Sequence, residues 1–309
     1  MSDPTVVSLL PSATEILYAL DCEPAAVSHE CDHPPDATEK PAANRLLIDP
    51  DVSSEEINDQ LASASDVYEI KTDVLREVDP DIVVTQGVCD VCAVDEVLVE
   101  DAVRDLGLDC EIVTTDPHHL ADVFGDIERI GAAVGRDERA AELVGNLRER
   151  VRAVEERVPD GERPRTLVCD WMRPPMIAGH WVPELVEKAG GEYGLTEPGA
   201  YSEYEDWDDV VAFDPEVFVA APCGFGMDQT LDNLDELRER AGWRDLSAVE
   251  SGRVFAVDGH HYVNRPGPRL VDTLERLAWC LHPAAFPDPS EEDVRRVENR
   301  TIGERTVEP

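Results

Sequence analysis

Apolar residues recur along this chain in two rhythms. Short continuous runs at 6–10, 82–85, 111–114, 166–170, 217–221 and 254–257 are rich in Val, Ile and Phe, and each is followed within a few residues by Pro, Gly or Asp. Unbroken runs of this kind mark strands buried on both faces, as in parallel sheets. Between them apolar positions fall three and four apart, so helices alternate with strands and the class is α/β with parallel sheets. The first run stops at Pro11, and Ser12-Ala13-Thr14-Glu15 then reads as a capping box opening a helix to about Leu20. A second box, Ser53-Ser54-Glu55-Glu56, opens another helix.

One phrase occurs twice, as Val78-Asp79-Pro80-Asp81-Ile82-Val83-Val84 and as Phe213-Asp214-Pro215-Glu216-Val217-Phe218-Val219. Each copy leads into a turn with glycine, Gln86-Gly87 and Cys223-Gly224, which fits two lobes built alike. Between the copies, Leu143, Leu147, Val151, Val154 and Val158 mark one helical face until Pro159-Asp160-Gly161 breaks the pattern. A helix over 137–158 is about 33 Å long at 1.5 Å per residue. It suits a stiff strut between an N-terminal lobe at 1–136 and a C-terminal lobe at 159–283, with an acidic tail at 284–309 wrapping the surface irregularly. A chain of 309 residues is a natural length for two domains.

Charge alters this reading in one respect. There are 68 acidic residues against 27 basic ones, giving −41, and the lysines are only Lys40, Lys71 and Lys188. With 42% hydrophobic residues in clear periods, the chain is predicted to be folded with an acidic surface rather than disordered. The Debye length shrinks to about 3 Å in 1 M salt, so the charge predicts adaptation to salt-rich surroundings. Nucleic-acid binding is excluded as a function class, because it rests on neutralising phosphates with Lys and Arg. No apolar stretch approaches the roughly 18 residues of a spanning helix, and Met1-Ser2-Asp3-Pro4 carries no basic or apolar leader. The expectation is a monomer that is cytoplasmic as written, or on the extracellular face of the membrane if a leader has been removed.

The eight cysteines do not form a disulfide pattern; Cys110, Cys169 and Cys280 sit in apolar segments and are predicted to be core. Cys89-Asp90-Val91-Cys92 follows a strand and reads as a redox pair, half a zinc site, or packed thiols. A zinc site needs two further ligands, which His29 and Cys31 on a neighbouring loop can supply. His118 and His119 follow Asp116-Pro117 and are expected to cap a helix start.

Ligands of open α/β sheets bind beyond the carboxyl ends of the strands. Those positions hold Ser12 and Thr14, Glu30, Gln86 and Gly87, Trp171, His180 and Trp181, and His261 and Tyr262. They are rich in Trp, His, Cys and Gly and lack a hydroxyl nucleophile beside a base. Binding is therefore expected rather than catalysis, with no catalytic cofactor.

The segments Val7-Ser8-Leu9-Leu10-Pro11-Ser12-Ala13-Thr14-Glu15-Ile16-Leu17, Asp32-His33-Pro34-Pro35, Pro80-Asp81-Ile82-Val83 and Arg265-Pro266-Gly267-Pro268-Arg269 together resemble the cobalamin-binding branch of the helical-backbone ABC-importer binding proteins. The resemblance covers about residues 5–282. It implies two α/β lobes, a rigid connecting helix, and a metal chelate held between the lobes. It places Glu30, Tyr68, Gln86, Trp171, Ser202, His261 and Tyr262 at the cleft, and Asp73 and Asp208, one acid per lobe, where relatives dock on the permease. Glu30, Gln86 and Ser202 stand where cobalamin-binding relatives carry aromatic residues. A corrinoid, an apolar ring edged by amides, fits Trp171, Trp181 and Tyr262 as platform with Glu30, Gln86 and His261 as polar partners. Haem or an iron siderophore is the alternative ligand, although only Arg173 and Arg265 follow strands to meet its carboxylates. Two other readings are a cytosolic thiol or metal protein built on Cys31, Cys89 and Cys92, and an intracellular corrinoid carrier or sensor.

Overall fold

The computed structural model describes residues 3–64, 66–88, 94 and 96–297. The chain opens with β1 (Val6–Ser8), α1 (Pro11–Ala19), β2 (Ala26–Val27), β3 (Asn44–Leu46), α2 (Ser54–Ser63), β4 (Tyr68–Ile70), α3 (Thr72–Val78), β5 (Ile82–Gln86), α4 (Glu96–Leu106), β6 (Glu111–Thr115) and α5 (Leu120–Ala133). Strands β2-β1-β5-β6 form one sheet, parallel throughout. Strands β3 and β4 pair separately and antiparallel, with α2 projecting between them. Ser53 and Glu56 form the predicted capping box of α2. The box predicted at Ser12 is absent: α1 starts at Pro11 with Leu10 at its cap, and no side chain caps it. Glu15 is instead buried, 4% exposed, and faces the other lobe.

The predicted strut is α6 (Asp137–Arg157), 21 residues. Its buried Ala140, Val144, Leu147, Val151 and Val154 repeat at helical spacing along one face. The second part of the chain contains β7 (Thr166–Met172), β8 (Pro175–Ile177), α7 (Val182–Lys188), β9 (Glu203–Tyr204), α8 (Trp207–Phe213), β10 (Val217–Ala220), the short helices α9 (Met227–Asp232), α10 (Asp235–Arg238) and α11 (Ser247–Glu250), β11 (Val254–Val257), α12 (Leu270–Leu281) and β12 (Val294–Arg296). The sheet order is β12-β11-β10-β7-β8-β9. Only β7, β10 and β11 run parallel; β8, β9 and β12 join antiparallel, so this sheet is mixed rather than parallel as predicted. The tail is likewise less irregular than expected, since β12 pairs with β11.

The repeated phrase is a repeated structure. In each copy a seven-residue helix, α3 or α8, ends at an aspartate in the left-handed region, Asp79 at φ 48° and Asp214 at φ 49°, and proline then leads to β5 or β10. Asp214 satisfies its surroundings by accepting from Ser247 N at 2.8 Å and Ser247 Oγ at 2.7 Å. One continuous core joins the sheets through α1, α5, α6, α7 and α12. On α6, Arg150 reaches Glu275 of α12 at 2.8 Å, so the strut is held by charge as well as by its apolar face. Cys169 and Cys280 are fully buried as predicted, while Cys110 is half-buried at the edge of a smaller core.

Candidate ligand-binding site

The carboxyl ends of the two sheets face one another across a cleft of about 330 Å³. From the first sheet it receives Leu10, Pro11 and Ser12 after β1, Glu30 after β2, and Gln86 at the end of β5. From the second it receives Trp171 of β7, Cys223 to Phe225 after β10, and His260, Asn264 and Arg265 after β11. Helix α2 covers one side with Ile57, Asn58 and Leu61.

The lining divides into two kinds. Ile57, Trp171 and Phe225 form an apolar cluster with Ile48, Leu61 and Met176, and the Trp171 and Phe225 ring centroids lie 5.4 Å apart. Trp171 Nε1 is buried without a hydrogen-bond partner. The same lining includes the polar Glu30, Tyr68 and Gln86, with Tyr68 Oη donating to Glu30 Oε1 at 3.5 Å. Burial pushes the Glu30 carboxyl above its ordinary pKa, against the pull of His29 and Arg265. Among the described lining residues Arg265 is the only arginine or lysine, and its guanidinium is already engaged.

Two seams close the cleft beyond the edge strands of the first sheet. At the β2 edge, His261 Nε2 lies 2.6 Å from Asp32 Oδ2, and its Nδ1 lies 3.3 Å from Asp258 Oδ2. Hydrogen bonds to Asp258 and Asp32 raise the His261 pKa to about 9. Arg265 donates to Asp32 Oδ1 through Nη1 and to the Glu30 carbonyl through Nη2 at 3.3 Å. Burial alone would raise the Asp32 pKa, but His261 and Arg265 outweigh it and hold the carboxyl well below the usual range. Arg269 reaches the buried Glu15 Oε1 at 2.5 Å. His260 lies within this charged group yet stays neutral: burial, then Arg265, lower its pKa to about 4.

One glycine permits this approach: a Cβ on Gly267 would lie 3.2 Å from the Ser12 carbonyl oxygen of the first lobe. Within the second lobe, a Cβ on Gly259 would lie 2.1 Å from the Pro222 carbonyl oxygen, so glycine lets the loops after β10 and β11 meet. At the β6 edge the contact carries less charge. His118 Nδ1 donates to the Gly199 carbonyl at 3.0 Å, and the rings of His118, His180 and Tyr201 meet at centroid distances of 5.1 to 5.2 Å. Burial, then His118, lowers the His180 pKa to about 4. His119 stands at the N-cap position of α5 but its side chain makes no cap bond; Asp122 Oδ2 accepts from His118 N and His119 N at 3.0 and 2.8 Å instead.

The structure thus brings Ser12, Glu30, Tyr68, Gln86 and Trp171 together and sends the other expected residues elsewhere. Thr14 is fully buried and donates to Ser8 Oγ at 2.8 Å. Gly87 continues the sheet, its N donating to the Thr115 carbonyl at 2.9 Å. Trp181 is a core residue whose Nε1 donates to the Val263 carbonyl at 2.9 Å. Tyr262 is stacked under Arg276, 4.1 Å from its ring, and donates to Asp293 at 2.9 Å. Ser202 donates to Asp170 Oδ2 at 2.7 Å and braces Gly179, while His180 and His261 belong to the seams. The thiolate grouping is not assembled at its described members. Burial raises the Cys31 pKa to about 11 and its Sγ lies 3.1 Å from Thr14 Oγ1, while His29 Nδ1 is 3.0 Å from Asn44 Oδ1. Cys89 and Cys92 lie outside the described residues. Asp73 and Asp208 are exposed in the first turns of α3 and α8.

Sequence reasoning missed Glu15, Asp32, Asp258 and Arg269. A signal was present for the first: a single acid inside the apolar helix Ala13 to Leu17 needs a cation, and the two arginines flanking Pro266-Gly267-Pro268 supply one.

A two-sheet fold joined by one long helix, with a cleft between the sheets, is the architecture of a solute-binding protein. The chain belongs to the periplasmic binding protein family, whose profile matches residues 6–260, a family of binding proteins and not of enzymes. A cobalamin-binding protein of Halobacterium salinarum is 29% identical over 157 residues, 50% of this chain but only 42% of that relative. An uncharacterized ABC transporter substrate-binding lipoprotein of Bacillus subtilis is 23% identical over 292 residues, 92% of this chain and 81% of the relative. Among solved structures, a periplasmic heme binding protein from Pseudomonas aeruginosa has a TM-score of 0.74 at 18% identity, covering 97% of this chain and 100% of its own. The periplasmic vitamin B12 binding protein of Vibrio cholerae has a TM-score of 0.67 at 20% identity, covering 91% and 98%. These two likenesses establish the fold. No helix among the described residues is long and apolar enough to cross a membrane.

Proposed function

We propose that this chain binds a corrinoid of the vitamin B12 type in the interlobe cleft and presents it to an ABC importer. The observation that carries the reading is the make-up of the lining: an apolar cluster of Ile57, Leu61, Trp171 and Phe225 shares one cleft with the polar Glu30, Tyr68 and Gln86. An apolar macrocycle edged by neutral amides matches both kinds of lining, and an amide carbonyl would satisfy the buried Trp171 Nε1. Among the described lining residues a ligand with carboxylates finds only Arg265, already paired with Asp32, on a chain of net charge −41. The name of the Halobacterium relative points the same way.

A corrinoid exceeds the volume of the cleft, so binding requires α2 to lift. The contacts given up are Asn58 Nδ2 to the Arg173 carbonyl at 2.6 Å, Glu55 to Arg173 at 3.2 Å, Ser54 Oγ to Glu236, the packing of Ile57 and Leu61 against Trp171 and Phe225, and, just before the helix, Gln229 Nε2 to the Pro50 and Val52 carbonyls at 2.8 and 3.2 Å. We assign Asp73 and Asp208 to permease docking because both are exposed at equivalent positions of the repeated unit. The chain then works on the outer face of the membrane, in salt-rich surroundings that screen its charge.

Calorimetric titration of cobalamin in multimolar KCl tests the site. Trp171→Ala should weaken binding by about 1 to 3 kcal/mol through lost aromatic burial, and Trp171→Phe by about 1 kcal/mol through the lost donor. Cys89→Ser should bind like the parent. Equal affinity in Trp171→Ala and the parent would remove this cluster from the site.

A further inference from the structure

At the β2 edge of the cleft, Asp32, His260 and His261 present one carboxylate and two imidazoles whose ligand atoms all lie within 4.8 Å of one another. Asp32 Oδ2 stands 2.6 Å from His261 Nε2 and 3.7 Å from His260 Nε2. Zinc holds N and O ligands at about 2.0 to 2.2 Å, hence roughly 3.4 Å apart in a tetrahedron. Shifts of about 1 Å bring the three groups into that range.

Three further observations favour a cation here. Asp258, 6% exposed, lies 3.3 Å from His261 Nδ1, the carboxylate partner on the second ring nitrogen that orients a metal-binding imidazole. Once the ion replaces the His261 proton, the charges nearby are Glu15, Glu30, Asp32 and Asp258 against Arg265 and Arg269, four carboxyls against two guanidiniums. Access exists as well, because Asp32 and His260 also line a separate cavity of about 310 Å³ with His29 and Glu30.

We propose that Asp32, His260 and His261 form a site for a divalent transition ion of the zinc class, which ties the two lobes together and keeps a fourth coordination position open to that cavity. Two imidazoles and one carboxylate suit zinc, nickel or copper rather than calcium or magnesium. The ion takes the place of the His261 Nε2 proton, which is released to solvent, and of Arg265 Nη2, 3.0 Å from His260 Nε2; Arg265 keeps its bond to Asp32 Oδ1, leaving Oδ2 for the ion. The site lies at the edge of the cleft and owes nothing to the metal carried inside a chelate.

The test is zinc titration of the full chain, stripped with a chelator, by calorimetry in concentrated potassium acetate, with cobalt(II) absorption as a second readout. One site per chain is expected, with the visible bands of tetrahedral cobalt. Affinity should fall at least 100-fold in Asp32→Asn and His261→Asn, and about 10- to 100-fold in Asp258→Asn, which loses only the orienting carboxylate. Near-ultraviolet circular dichroism checks that each variant is folded, and His260→Gln, which removes one ligand from outside the buried ion pairs, decides the matter should Asp32→Asn unfold. Cys89→Ser should bind as the parent does. Absence of zinc binding, unchanged affinity in His260→Gln and His261→Asn, or loss of the site in Cys89→Ser would each overturn the proposal. None of these outcomes depends on cobalamin.

Discussion

At the β2 edge of the cleft His261 lies between the carboxylates of Asp32 and Asp258, and its pKa rises to about 9. At the β6 edge His180 is half-buried beside His118 and Tyr201, and its pKa falls to about 4. Both residues follow strands and both help to join the lobes, yet near neutral pH one is a cation and the other is not. Partner and burial decide the charge, and with it how each seam answers to salt, pH and mutation.

Salt gives the largest effect expected. Lowering it strengthens the ion pairs of the β2 seam, but 68 acids against 27 bases repel one another over the whole surface. The surplus wins, so the melting temperature should fall steeply as KCl drops below a few tenths molar; a flat profile would contradict adaptation to salt.

Mutation should separate the seams next. Arg265 is 6% exposed and sits beside Glu15, 4% exposed, and Asp32. Arg265→Ala strands buried carboxylate charge and should cost about 3 kcal/mol in denaturant unfolding. At the other seam His180→Asn keeps a side chain that tolerates φ 51° and leaves no unpaired charge, so about 1 kcal/mol or less is expected. Equal losses would erase the distinction between the seams.

The pH profile of metal-free protein is a finer test. His261 has a folded pKa raised above its ordinary 6.5, so its stabilisation is complete below about 6.5 and is lost as pH rises toward about 9. His180 and His260 have folded pKa values lowered to about 4, so the unfolded chain takes up their protons first and stability falls as pH drops from about 6.5 toward 4. The melting temperature should peak near pH 6.5. His261→Asn should flatten the alkaline limb, and His180→Asn should soften the acid limb. The smallest effect expected is on shape: α6 carries no proline and spans both lobes, so small-angle scattering with and without ligand should nearly superimpose while α2 alone gains or loses hydrogen-exchange protection.

Buried strands and the strut were legible because their patterns are long. β5, β7, β10 and β11 each carry an apolar run of three or more residues, whereas β6, Glu-Ile-Val-Thr-Thr, buries only Val113 and Thr115 and so is less buried than expected, and α6 keeps its stripe over 21 residues. Strands of two or three residues, β2, β8, β9 and β12, offer too few positions for a period to show. Trp171 and Trp181 read alike in sequence because nothing local says which ring meets the cleft; only the Val263 carbonyl, 82 residues on, claims Trp181 for the core. The seams were hidden for the same reason. Asp32 and Arg265 are 233 residues apart, and Glu15 and Arg269 are 254 apart.

The measurement that bears most directly on the account is competitive titration of the full chain with cobalamin and with haem, followed by absorbance in multimolar KCl. One equivalent of cobalamin should bind, and haem should fail to displace it, because the only guanidinium or ammonium group among the described lining residues, Arg265, is already paired with Asp32. Tighter binding of haem, or no change in the cobalamin spectrum, would contradict the reading.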